Sequence, residues 1–154
     1  MKILLNEQIR LISKHNSSNQ LQFGKGRAYR STNYRQNANE MIRKFMDLNI
    51  NIPDKVPLGV CIKYYYPRPK KGGLPITRHT KDLDSTKSVL DSLMKAGQNL
   101  NLSRGIKSTM FDDSQVVIEL LEKDYWDDTQ HGLDIKVIQI EPSDDMQYIK
   151  ENPK

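Results

Sequence analysis

Apolar and polar residues alternate along the chain in blocks that predict four strands. The first is N-terminal, within "MKILLNEQIRLISK". Residues 56–67, "VPLGVCIKYYYP", are rich in β-branched and aromatic residues and predict a strand that ends at Pro67. Residues 114–126 predict another strand, and residues 133–142 alternate apolar and polar side chains as a half-buried strand does. The segment "DDTQHG" between the last two strands indicates a hairpin connection. The tyrosines of residues 64–66 could stack on bases, but period-2 alternation in a strand places alternate residues inward and favours a core position for them.

Two other segments have the spacing of amphipathic helices. Residues 31–48 carry apolar side chains on one helical face, with Ser31, Thr32 or Asn33 as the N-cap. Residues 85–96 form the second predicted helix, Gly97 is its expected stop, and residues 98–110 are expected to be irregular. The inward-facing residues of the second helix are Val89, Leu90 and Leu93.

The order of these elements predicts an α+β fold, a two-layer α/β sandwich with a small mixed sheet and two main helices. We expect one domain over residues 1–141 and a polar, frayed tail over residues 142–154. The chain has no apolar run long enough to span a membrane, and its N-terminus lacks a signal peptide's apolar centre. The single cysteine, Cys61, is expected to be a small core residue in a reduced, cytoplasmic protein.

The charge is distributed very unevenly along the chain. Residues 1–81 hold sixteen Lys/Arg and four Asp/Glu, whereas residues 82–154 hold eight Lys/Arg and fifteen Asp/Glu. Five of the cations fall in the proline- and glycine-containing stretch 67–81, "PRPKKGGLPITRHTK", which predicts a positively charged loop. A basic half favours a polyanion such as nucleic acid as partner, although basic side chains can also serve solubility alone.

Acidic residues gather at two places. Asp82 and Asp84 precede the second predicted helix, and Asp112 and Asp113 precede the strand at 114–126. Taken singly, Asp84 is explained as a helix cap, and Asp112 and Asp113 are explained as turn residues. Taken together, the carboxylates are hard oxygen ligands suited to Mg²⁺, and clustered acids repel one another unless a cation neutralises them.

The combination of "KDLDSTKSVLDSLMKAG" at 81–97 with "FDDSQVV" at 111–117 resembles the RusA-type Holliday-junction resolvases. The resemblance extends over about residues 20–141, and it includes "GRAYRSTNYRQNANEMI" as the family's first basic helical region. It implies a RusA-like fold and a Mg²⁺-dependent crossover junction endodeoxyribonuclease, with Mn²⁺ as a possible substitute. Such an enzyme acts in DNA recombination and repair, binds four-way junctions and forms a homodimer, without an organic cofactor or a membrane.

The resemblance also assigns roles to particular residues. Asp82, Asp84 and Asp113 match the metal-binding acids, Lys87 matches the lysine that stabilises the transition state, and Asp91 matches a structural acid. Asp112 matches the acid beside the third ligand. The expected phosphate contacts are Lys25, Arg27, Arg30, Arg35, Arg68, Lys70, Lys71, Arg78 and Lys81.

Two departures from the family pattern bear on these roles. Only Ser85 and Thr86 separate Asp84 from Lys87, where the family has three residues, so Ser88 is an alternative occupant of the lysine's place. Residues 98–110 are longer than the family's usual connection. Two rival hypotheses follow: a non-catalytic DNA-binding protein on the same scaffold, and a nuclease for other branched DNA.

Overall fold

The computed structural model describes residues 1–13, 21–24, 27–30, 32–69, 87–108, 110–126 and 129–141, with the backbone alone for residues 21–24, 27–30 and 32–34. Six strands and two helices are present in these ranges. They are β1 (Lys2–Leu11), β2 (Leu21–Gly24), β3 (Arg27–Arg30), α1 (Thr32–Asp47), β4 (Leu58–Pro67), α2 (Lys87–Ser103), β5 (Val116–Trp126) and β6 (His131–Gln139). A four-stranded mixed sheet with two helices confirms the predicted α+β class.

The order of strands in the main sheet is β1-β6-β4-β5. Strands β4 and β5 are parallel, whereas β6 runs antiparallel to both of its neighbours, β1 and β4. The predicted hairpin between β5 and β6 is therefore wrong, because β4 lies between these two strands and they do not pair with each other. The composition explains the placement: β6 is largely buried, while β5 carries Glu119, Glu122 and Asp124 and tolerates an edge position.

The core lies between the helices and one face of the sheet. Inward residues of β4, among them Val60 and Tyr64, pack in one cluster with Phe45 of α1 and Leu93 of α2. Tyr64 and Tyr66 are buried as the alternation predicts, but Tyr65 lies on the opposite, outer face. Cys61 shares that outer face and is half-buried, so its expected core position is wrong for the same period-2 reason.

A short ribbon of β2 and β3, absent from the sequence prediction, precedes α1. Arg27 and Arg30 therefore lie on a strand and not in the helical region that the resemblance implied. The predicted N-cap position is close, since α1 begins at Thr32. The expected tail at 142–154 lies outside the described residues.

The buried carboxylate of Glu40 joins α1 to the end of β1. It accepts hydrogen bonds from the backbone N–H groups of Ile12 and Ser13, each at 2.7 Å, and from the Ser13 hydroxyl. Burial raises the pKa of Glu40, but these hydrogen bonds outweigh burial and leave the pKa below its ordinary value. The charged form of Glu40 therefore holds the first strand against the first helix.

Helix α2 continues past its predicted end. Gly97 lies inside the helix, where a Cβ atom would come within 3.0 Å of Met110 Cβ. The true stop is Gly105, whose φ of +76° suits glycine. Its N–H donates to the Leu102 carbonyl (3.1 Å) and the N–H of Ile106 donates to the Asn101 carbonyl (2.8 Å), which is a Schellman motif. The expectation of irregular structure from residue 98 is thus wrong up to residue 103.

Candidate metal- and phosphate-binding site

The structure describes part of the predicted site. Lys87, Asp91, Asp112 and Asp113 are placed with their side chains, as are Arg35 and Arg68, both of which are exposed. Arg27 and Arg30 are placed by backbone alone. The remaining predicted residues lie outside the described ranges: Asp82, Asp84, Lys25, Lys70, Lys71, Arg78 and Lys81.

Residues 106–108 and 110–113, the described parts of the segment after α2, lie along that helix and bring Asp113 towards its N-terminal half. Asn101 Nδ2 donates to the Ser108 carbonyl at 3.0 Å, and Met110 packs against Gly97 one turn nearer the helix start. Beyond Met110, the charges of Asp91 and Lys87 both act on Asp113. The long connection that sequence comparison treats as a departure therefore has a structural role: it carries a distant acid back to the start of α2.

Asp112 and Gln115 fix the turn that presents Asp113. Asp112 caps the 3-10 turn Asp113–Gln115 and accepts the N–H of Ser114 at 3.0 Å, while Gln115 Oε1 accepts the N–H of Asp112 at 2.8 Å. Gln115 Nε2 also donates to the carbonyls of Pro53 (3.1 Å) and Val56 (3.0 Å), just before β4. The turn explanation thus accounts for Asp112, and it leaves the Asp113 carboxylate without a capping role.

Gln115 is a positioning residue that sequence reasoning missed. Its signal is present in the chain, since an acid followed three residues later by glutamine is the spacing of a capping box. The bonds to Pro53 and Val56 could not be read from that spacing, because they join segments about sixty residues apart.

The Asp113 carboxylate is exposed and lies among other charges. Its pKa is raised above the ordinary value, first by a hydrogen bond with the Asp112 carboxyl, then by slight burial and by the charges of Asp112 and Asp91. Lys87 acts in the opposite direction. Asp112 has a lowered pKa, chiefly because the Ser114 N–H donates to it. Crowded carboxylates of this kind are chemically suited to a hard divalent cation.

Lys87 and Ser88 differ sharply in their surroundings. Lys87, the first residue of α2, is exposed, whereas Ser88 is only 3% exposed and its side chain shares a hydrogen bond with the buried Tyr64 hydroxyl. Ser88 therefore faces the core, and of the two residues Lys87 is the one that a phosphate can reach. No ion pair joins Lys87 to Asp91 within the described part of the chain, although the two lie four residues apart on the helix.

The described residues hold neither a complete metal site nor a membrane-spanning helix, and comparison with known proteins finds no match. Among the described residues, no three His, Cys, Asp or Glu side chains gather closely enough to hold a metal ion. Of the three predicted ligands, Asp113 lies within the described ranges, and Asp82 and Asp84 lie outside them. Within those same ranges, no helix has both the length and the apolar character needed to cross a membrane. The chain matches no protein-family model and no curated protein.

Proposed function

We propose that this protein is a Mg²⁺-dependent, structure-specific endodeoxyribonuclease that resolves four-way DNA junctions by paired phosphodiester cleavage. The proposal rests on the resemblance to RusA-type resolvases and on one geometric observation. Asp113, about thirty residues beyond Asp82 and Asp84 in sequence, lies in a turn that contacts α2, the helix that follows those two acids in sequence, and the charges of Lys87 and Asp91 act on it.

That observation favours a shared site over three unrelated turn residues. The return segment is held by the Asn101–Ser108 hydrogen bond and by the Met110–Gly97 contact, and the turn at its end is held by Gln115. The chain thus uses several buried or partly buried contacts to present one exposed carboxylate. A turn residue with only a capping role needs no such support, and Asp112 already fills that role.

The chemistry assigned to the residues follows from their types. Asp82, Asp84 and Asp113 would hold the ion through carboxylate oxygens, which suit Mg²⁺ and also Mn²⁺. A bound ion of this kind supplies an activated water and stabilises the phosphate oxygens. Lys87, exposed beside Asp113, would offset the charge that builds on the phosphate during cleavage.

The remaining parts of the proposal concern partners. Two coordinated nicks in a two-fold symmetric junction require two active sites, which a homodimer with an isologous interface supplies. The basic residues of the first half of the chain would hold DNA through its phosphates, which positions the protein without reading sequence.

A cleavage assay tests the proposal against its rivals. The purified protein is incubated with labelled synthetic four-way junctions, flaps and linear duplex, in Mg²⁺, in Mn²⁺ and in chelator. We expect paired nicks in the junction with either metal, and no cleavage in chelator or of linear duplex. Junction binding without cleavage would support the non-catalytic alternative, and preferential cutting of flaps would support the nuclease for other branched DNA.

A further inference from the structure

The helix layer presents a strongly basic surface to solvent. On α1, Arg35 and Arg43 lie eight residues apart and are both exposed, and on α2 the exposed Lys87 and Lys95 have the same separation. A rise of 1.5 Å per residue places the two cations of each pair about 12 Å apart along their helix. Each helix therefore carries a matched pair of positive charges on its outer side.

Further cations lie at the C-terminal ends of the two helices, which are neighbours. Asn99 Nδ2 contacts Met46 Sδ at 3.7 Å, and the Arg104 guanidinium donates to Asn49 Oδ1. Helices α1 and α2 with the turn after α2, as far as they are described, expose seven basic side chains, and only Asp47 and Asp91 are acidic and open to solvent. The seven are Arg35, Arg43, Lys44, Lys87, Lys95, Arg104 and Lys107.

The cations at the centre of this surface have no carboxylate partner in the described part of the chain. Arg43 forms no ion pair there, and the Lys95 ammonium has only a long contact of 3.4 Å with Gln98 Oε1. Like charges gathered on one layer without counter-charges raise the local positive potential. Such a surface attracts a polyanion more strongly than the same cations would if each were paired.

The outer face of the sheet provides the contrast. Lys63 Nζ lies 3.4 Å from Asp124 and 3.8 Å from Glu122, and the Arg10 guanidinium lies over the Trp126 ring at 4.8 Å. A groove of about 370 Å³ on this face is lined by residues of both signs, including Glu122, Asp134 and Lys136. On the sheet face, Lys63 and Arg10 therefore have partners within their own layer.

We infer that the exposed face of α1 and α2 is a second DNA-binding surface, which holds the phosphates of a duplex arm beside the cleavage site. The inference rests on the proposed function, and it adds Arg43, Lys44, Lys95, Arg104 and Lys107 to the predicted contacts. Lys87 belongs to both surfaces, so a duplex that lies along the helix layer continues directly into the site at Asp113. These contacts neutralise phosphates and read no sequence.

The test compares two double variants with the same change in net charge. Arg43→Gln/Lys95→Gln removes two cations from the helix face, and Lys2→Gln/Lys136→Gln removes two from the sheet layer. Dissociation constants for a labelled four-way junction and for linear duplex are measured by fluorescence anisotropy over a salt series. The buffer contains chelator, so cleavage does not intervene. Thermal unfolding of each variant confirms that it is folded.

The helix-face variant should bind both DNAs about tenfold more weakly, with a salt slope shallower by roughly two, one for each lost phosphate contact. The sheet-layer variant should keep the wild-type slope. An unchanged slope in the helix-face variant, or equal losses in both variants, would overturn the inference. A Lys70→Gln/Lys71→Gln variant of the basic loop separates the two proposals. If that variant loses affinity while the helix-face variant does not, only this inference fails; if wild-type protein binds no DNA, the proposed function fails.

Discussion

The two faces of the molecule use the same kinds of side chain in opposite ways. On the sheet face, charged and aromatic residues satisfy one another: Tyr65 stacks on Trp126 with ring centroids 4.7 Å apart, and the Tyr65 hydroxyl donates to Asp134 at 2.7 Å. Gln8 donates to the other oxygen of Asp134 at 2.9 Å. On the helix face, Arg43 and Lys95 stand without carboxylate partners in the described chain, and Asp113 is exposed.

This difference separates structural from functional charge within one chain. A charged side chain that is paired within its own layer contributes to folding, and its removal should lower the free energy of unfolding. A charge that is held in place by the fold but lacks a partner there is available to a ligand. The predictions below test this division, each with a change on one face and a control elsewhere.

The largest effect is expected from Asp113→Asn, which keeps the size of the side chain but removes the charge that holds a hard cation. Mg²⁺-dependent junction cleavage should fall by on the order of a hundredfold or more, as when one electrostatic element of an active site is lost. Junction binding in chelator should persist or tighten. Asp134→Asn on the sheet face should leave the cleavage rate unchanged.

Asp112→Asn is the closest control for this prediction, because asparagine caps a helical turn as well as aspartate does. It should retain most of the activity. Equal losses of cleavage in Asp112→Asn and Asp113→Asn would mean that the turn as a whole, and not one carboxylate, is what matters. Wild-type cleavage rates in Asp113→Asn would contradict the proposal that three carboxylates form one metal site.

Glu40→Gln should lower the free energy of unfolding at pH 7 by about 2 kcal/mol, since a charged acceptor of several buried hydrogen bonds is lost. The pKa of Glu40 is lowered in the folded state, so its contribution is present above the unfolded value of about 4.3 and is lost as the pH falls through the lower folded pKa. Urea unfolding between pH 7 and pH 3 measures this.

The difference between wild type and Glu40→Gln should therefore shrink at acid pH. The exposed Glu7 of β1 is the matched control, and Glu7→Gln should change stability little at any pH. A constant difference across the whole pH range would show that the hydrogen bonds do not depend on the charge of Glu40.

Lys87→Ala should reduce the rate of cleavage on the order of tenfold while changing the affinity for the junction by much less, since its proposed role is in the transition state. Single-turnover rates and anisotropy binding measured on the same junction separate the two quantities. Lys63→Ala, which removes a cation already paired on the sheet face, should alter neither. If Lys87→Ala weakens binding as much as it slows cleavage, the residue is a phosphate anchor only.

Tyr65→Phe should cost about 1 kcal/mol of stability through loss of the hydrogen bond to Asp134. Burial, together with that hydrogen bond, raises the pKa of Tyr65 to about 12. The stabilisation is thus complete below the unfolded pKa of about 10 and is lost as the pH rises through 12. Unfolding measured from pH 8 to 12 should show the two proteins converging, and absorbance titration should show one fewer tyrosine ionising near pH 12.

Much of the fold could be predicted from the sequence, because local patterns determine local elements. The alternation of residues 58–66 and the helical spacing around Val89 and Leu93 predict which side chains of these elements face the core. The order of strands could not be predicted in the same way. A short connection between β5 and β6 favours direct pairing of the two strands, whereas in the structure β4 lies between them. The end of α2 was misjudged at Gly97, since only the packing of Met110 shows why that glycine is interior.

The sequence predicts which residues belong to the candidate site, but it does not predict how the fold brings them together. Motif resemblance indicated Lys87 and Asp113 as members of one site, yet the return of the chain along α2 depends on contacts such as Asn101 with Ser108. The basic helix face was missed because Lys95, Arg104 and Lys107 belong to the acidic half of the chain, where linear charge counting hides them. Their proximity to α1 arises from the packing of the two helices.

The central position of β6 has a consequence for how the chain acquires its structure. Strands β1 and β4 flank β6 and do not pair with each other, so the main sheet cannot close until residues 131–139 have emerged from the ribosome. Until then β1 retains an unpaired edge and the core beneath Leu133 and Ile135 is open. Pairing between segments this distant in sequence is slow to form. We therefore expect nascent chains that stop before β6 to be protease-sensitive, and release of the last strand to trigger cooperative folding of the whole sheet.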